Sequence, residues 1–169
     1  HMDQPGWGSH VNFKDMTYPC DGPDEFIKGV RTQLKAGADF IKTNLCVSST
    51  YDLKKPYKQE MSNEEIEAVA KITKMLNIKV ASHTSGGSAI TKAVECGLHS
   101  VEHGHWLDNK TVDLMKKNNT FYVPTLLVNE RNFDFKENEK FKSSKNWKWL
   151  ELSREAKWVS LKKAIKSNI

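Results

Sequence analysis

The sequence predicts an α/β fold of parallel βα units. Two patterns carry that expectation. Short apolar runs alternate with helical patterns of ten or so residues, which is the rhythm of strands joined by crossover helices. The chain's 169 residues, 38% of them hydrophobic, suffice for one domain with a real core.

Asp21-Gly-Pro23 opens the first helix, with proline near the first helical position. Phe26, Ile27, Val30 and Leu34 recur at helical spacing, and Gly37 supplies a left-handed cap. A strand over 39–43 follows. The polar stretch 44–61, with Pro56, reads as a long loop. Ser62 and Glu65 form a capping box for a helix whose inward stripe is Ile66, Val69, Ala70, Thr73 and Leu76. Asn77 ends it, and 78–82 is the next strand. Thr84 to Gly87 reads as a small-residue loop. Ala89, Ile90, Ala93 and Val94 mark a short helix ending at Gly97, and 100–103 is the third strand. Asp108 caps a helix carrying Val112, Leu114 and Met115, which Asn118-Asn119 breaks. A fourth strand spans 121–127, punctuated by Pro124. After a polar loop, a long helix over 144–167 carries Trp147, Leu150, Leu161 and Ile165, with Trp149 and Trp158 beside them.

Two architectures fit this order: an open doubly wound sheet, or part of a (β/α)8 barrel. A full barrel takes about 200 to 250 residues or more, so four strands here imply a partial one. Residues 1–169 form a single domain on this reading. The expected gap in the barrel leaves strand edges and an inner face uncovered. That predicts homo-oligomerisation, swapping, or cover from the long C-terminal helix.

The net charge of +5 comes from scattered lysines without a nucleic-acid-binding motif, so no nucleic-acid partner is expected. No apolar run approaches the roughly 20 residues of a membrane span, and no signal peptide is evident. His1-Met2 reads as a cloning remnant. Cys20, Cys46 and Cys96 are few, odd in number and widely spaced, which argues for a reducing, cytoplasmic setting.

Lys42, His83 and His103 end three successive strand-like runs. Ligands and metals bind at the C-terminal ends of parallel strands. Neutral imidazoles suit zinc, so His83 and His103 are metal-ligand candidates. Lys42 is the odd member, because an ammonium repels cations; a desolvated lysine amine can instead react with carbon dioxide, giving an anionic carbamate with two oxygens. His105 completes an HxH pair with His103 and, lying past the predicted strand end, reads as substrate-facing. His10 in a glycine-rich stretch and Tyr122 could also line the pocket. Glu102 reads as a partner for a neighbouring element. His99 reads as exposed.

The segments Gly37-Ala-Asp-Phe-Ile-Lys42, Val80-Ala-Ser-His83, the run from Ala93 to Gly104 that holds Val101-Glu-His103, and Tyr122-Val-Pro-Thr-Leu126 occur in order. Together they resemble the amidohydrolase superfamily, in the branch of imidazolonepropionase-like and prolidase-like enzymes. That resemblance implies a (β/α)8 barrel with one or two zinc ions, covered here from about strand three or four to strand seven. It implies a carboxylated Lys42 after strand four, and His83 and His103 as the ligands of strands five and six. It implies hydrolysis of amide or peptide C–N bonds, in dipeptides or N-acyl amino acids, by metal-activated water. The family's HxH pair after strand one and its Asp base after strand eight have no counterpart in the chain, so it reads as a middle segment with little activity alone. The alternatives are a non-catalytic α/β metal- or ligand-binding domain and, further off, a basic nucleic-acid-binding module.

Overall fold

The structure, a computed structural model, describes residues 17–48, 52–133 and 142–169. Helices α1 (Pro23–Lys35), α2 (Asn63–Met75), α3 (Ser88–Glu95) and α4 (Asn109–Asn118) alternate with strands β1 (Ile41–Asn44), β4 (Val80–Gly86), β5 (Ser100–Trp106) and β6 (Phe121–Val123). A hairpin of β2 (Cys46–Ser48) and β3 (Tyr57–Gln59) interrupts the first crossover. The chain then continues through α5 (Leu126–Asn132) and the long α6 (Lys145–Ser167).

The main sheet is parallel throughout, in the order β1-β4-β5-β6. That order runs in one direction without reversing, and α1 to α4 pack side by side in sequence. A doubly wound sheet reverses its order and places helices on both faces. The observed arrangement is an arc of a (β/α)8 barrel, with an unclosed sheet.

Strand alternation divides the two faces. Ile41, Thr43, Val80, Ser82, Thr84 and Val101 are buried, and the apolar members pack with Ile66, Val69, Ile90, Val94 and Met115 of the helices. Lys42, Ala81, His83, Glu102, Phe121 and Val123 occupy the alternate positions, on the face that would line a closed barrel. Phe121 there is 70% exposed.

Most expected elements are present, with five differences. The stretch 44–61 holds the β2–β3 hairpin rather than an unstructured loop. Thr84 to Gly86 continue β4, because they are buried under the hairpin: Cys46 Sγ accepts from the Ser85 amide at 3.0 Å, and the Tyr57 ring lies where a Cβ on Gly86 would stand. β5 runs on to Trp106 through an irregular register against β4. Beyond Val123, Pro124 has no amide to give a ladder, and Leu126 starts a helix instead of extending the strand. Leu76, expected in the α2 stripe, caps the helix and is exposed.

In α6 Trp147 is buried as expected, but the continuous buried stripe is Trp149, Ser153, Lys157, Ser160 and Ala164, whereas Ile165 is exposed and Leu150 and Leu161 are half-buried. The reason is the surface it covers. The helix lies over the polar end of β5, where Ser160 Oγ donates to the His105 carbonyl at 2.8 Å and accepts from the Leu107 amide at 2.9 Å. Lys163 donates to the Leu107 carbonyl at 2.9 Å. Among the described residues no helix is long and apolar enough to cross a membrane.

The capping box forms as expected and reaches further. Glu65 accepts from the Ser62 amide at 2.7 Å and from the Gly22 amide, at the start of α1, at 2.8 Å. One buried carboxylate thus joins two helix N-termini, where anions are favoured. Replacing it leaves two amide donors unsatisfied. Glu65→Ala is expected to cost about 2–3 kcal/mol and Ser62→Ala about 1 kcal/mol in urea denaturation; equal losses would contradict the bridging role.

Candidate functional site

The three residues ending the predicted strands come together on the open face. Lys42 and His83 project from alternate positions of β1 and β4, and Asn44, His83 and Glu102 share one row across the sheet. His103, one residue beyond Glu102, belongs on the opposite face of a regular strand. Its backbone has φ +69, and Gly104 follows with φ +49. This bend turns the His103 ring to meet the His83 ring edge-on, with centroids 4.4 Å apart.

The bend is held from β6. The Tyr122 hydroxyl donates to the carbonyls of His103 and Gly104 at 3.2 and 3.0 Å. A side chain at residue 104 would meet the Tyr122 ring at 2.7 Å, so glycine is required there for space as well as for φ. Tyr122, expected to line the pocket, thus has its hydroxyl engaged with the β5 backbone, and burial raises its pKa well above the usual tyrosine value.

Thr125 holds the His103 ring itself. Its Oγ1 lies 2.7 Å from His103 Nδ1, in a residue with φ +49, a conformation that β-branched side chains rarely adopt. His105 sits within β5, not past its end, and only 4% of it is exposed. It stacks parallel to His103 with centroids 6.0 Å apart, confirming that the HxH pair faces one way. Its Nε2 is 3.4 Å from Asn129 Nδ2, and its buried Nδ1 has no hydrogen-bond partner. Trp106 and Trp149 pack against it, Tyr57 packs on Trp106 in turn, and the Trp149 indole donates to the Pro56 carbonyl at 2.6 Å.

The electrostatics favour neutral imidazoles. Burial, with the Lys42 charge second, pulls His83 down to about 4. Burial, then His83, Lys157 and Lys42, pulls His103 down to about 3. His105 is lowered by burial first and by Lys157 second. At pH 7 all three offer lone pairs rather than charge. Lys42 is half-exposed, with its Nζ 3.9 Å from Glu102 Oε2, so Glu102 is the neighbour's partner that the sequence suggested. His99 is exposed and accepts from the Val80 amide. His10 lies outside the described residues. Among the described residues no three His, Cys, Asp or Glu side chains gather as they would around a metal.

Residues 2–165 match the Amidohydrolase family along nearly their whole length. The chain belongs to that family. It is 30% identical over 111 residues to the ochratoxinase of Aspergillus niger, covering 66% of this chain and 23% of that enzyme. Among solved structures it is similar to a Xaa-Pro dipeptidase with methionine bound in the active site, at 27% identity and a TM-score of 0.74, covering 94% of this chain and 41% of the dipeptidase. The crystal structure of A. niger ochratoxinase matches at 25% identity and a TM-score of 0.75, covering 89% of this chain and 33% of the other. The chain therefore spans well under half the length of these amidohydrolases.

Sequence reasoning missed Thr125, Asn129 and Lys157. The signal that could have found them is the polar stripe Ser153, Lys157 and Ser160 on one face of a helix otherwise rich in tryptophan.

The histidines make the metal-free protein acid-sensitive. The unfolded chain takes up protons near pH 6.5, whereas the folded chain takes them up only near 4 and 3 at His83 and His103. Between these limits the unfolded state holds more protons, so stability falls as the pH drops. Chelator-treated protein is expected to show a lower urea midpoint at pH 5 than at pH 7.5, and His83→Gln should narrow the gap; an unchanged gap would contradict the assignment.

Proposed function

We propose that the whole protein is a metal-dependent hydrolase of amide or peptide C–N bonds, acting on small substrates such as dipeptides or N-acyl amino acids. The observation that carries this reading is the pair His83 and His103: two neutral, desolvated imidazoles on adjacent parallel strands, facing each other on the barrel-lining side beside Lys42. Membership of the amidohydrolase family and similarity to an ochratoxinase and a Xaa-Pro dipeptidase support the reaction class.

The donor set fits a zinc-like ion in part. His83 and His103 would supply two nitrogen ligands. Lys42 would supply a third once its amine had added carbon dioxide and lost a proton, and Glu102 would have to give up its contact with the amine. A divalent ion held there supplies Lewis acidity toward a carbonyl and lowers the pKa of water. The chain's own residues do the positioning. Tyr122 and Gly104 set the bend that carries His103 to His83. His105, Trp106 and Trp149 keep water from the layer beneath.

In the whole protein, His83→Ala is expected to lower zinc content and to reduce hydrolysis of an N-acyl amino acid and dipeptide panel by more than about 100-fold. Metal analysis and product assay read the two effects; full activity in the variant would overturn the reading.

A further inference from the structure

Among the described residues the most deeply buried charged side chain is on α6. Lys157 is 1% exposed, and burial lowers its ammonium pKa to about 8. Two contacts hold its Nζ: Asn129 Oδ1, and Thr125 Oγ1 at 3.4 Å. Neither is a carboxylate. The acid next to Asn129, Glu130, is occupied by Arg154 and by the Trp158 indole.

An ammonium can only donate, and that fixes the direction of every bond beyond it. Asn129 must turn its carbonyl oxygen to Lys157, so its amide nitrogen faces His105 Nε2 and Ser153 Oγ at 3.4 and 3.3 Å. That nitrogen donates, and His105 Nε2 accepts. The proton of His105 then sits on Nδ1. Thr125 has one hydroxyl proton to give, and its Oγ1 lies 2.8 Å from the Pro124 carbonyl oxygen, which can accept it. Its oxygen faces Lys157 on one side and His103 Nδ1 on the other. With the Thr125 proton directed to Pro124, His103 Nδ1 is the donor, and its Nε2 keeps a lone pair.

We propose that Thr125, backed by Lys157, is a positioning residue that locks His103 as the Nδ1–H tautomer and so reserves Nε2 for a divalent metal. The tautomer part stands on the hydrogen bonds alone; the metal part rests on the proposed function. Backbone strain at Thr125 supports the assignment. A threonine at φ +49 is strained, and such outliers concentrate where a side chain is held for function. Glycine would relieve the strain, so its replacement removes the hydroxyl without threatening the fold.

The test reads the imidazole nitrogens of the metal-free protein at pH 7 by long-range proton–nitrogen NMR with labelled histidine, using His103→Asn for assignment. The wild type is expected to show His103 in the Nδ1–H form. Thr125→Gly is expected to fold with equal or greater stability yet give mixed tautomers, and Thr125→Ser to restore the single form. Lys157→Met is expected to mix the tautomers of His105 as well. An Nε2–H wild type, an unmixed Thr125→Gly or a failed serine rescue would overturn the lock. Zinc titration then separates the two claims. Thr125→Gly should bind about 10- to 100-fold more weakly than wild type, and equal affinity would overturn the link from tautomer to metal. If the wild type itself takes up no zinc, the metal reading falls while the NMR result still decides the lock.

Discussion

The parallel register of β1, β4 and β5 is the constraint on which the rest depends. Side chains alternate strictly along a strand, so a slip of one residue would exchange the two faces. Val80 and Val101 would leave the helices, and His83 would enter the core. Burial of the apolar set, worth about 1.5–3 kcal/mol for each large side chain, therefore also keeps Lys42 and His83 on the open face. Stability and site geometry share one register, and neither can drift alone.

β5 departs from this regularity at one place, and the departure makes the site. Without the bend at His103 and Gly104, Glu102 alone of β5 would stand beside His83, and His103 would turn away. Left-handed backbone at a non-glycine residue costs about 1–3 kcal/mol. Tyr122 and Thr125, both contributed by the β6 segment and its turn, hold the bend at two levels, carbonyl and ring. The same neighbourhood is cationic, with Lys42 on one side and Lys157 on the other, and both lower the affinity of His103 for protons. That field also opposes a bare cation. An anionic ligand from Lys42 would therefore change the sign of one of its two sources as well as add a donor.

Much of this was legible from residue order. Helix starts were readable because their signals are local: Pro23, the Ser62–Glu65 box and Asp108 each act within one turn. Lys42 and His83 could be set on one face by alternation along their strands, but His83 and His103 lie inside strands that run on to Gly86 and Trp106, further than the sequence suggested. Those lengths were not readable. Thr84, Ser85 and Gly86 carry no apolar signal, and only the hairpin packed over them makes them strand. Leu126 to Val128 look like strand and form helix once Pro124 has ended the pairing. The α6 stripe was misread for a related reason: a helix covering backbone carbonyls wants hydroxyls and an amine inward, and hydropathy alone turns it the wrong way round.

The Trp149–Pro56 bond joins positions 93 residues apart, and the contacts of Ser160 and Lys157 with His105 and Thr125 span 55 and 32. Local βα pairs close short loops and can form early, whereas contacts between such distant positions carry a larger closure entropy. His83 and His103 therefore have their strands before they have their final ring orientations. Lys157 lies on the C-terminal side of both histidines, so during synthesis its contacts with Thr125 and Asn129 form after β4 and β5 have emerged.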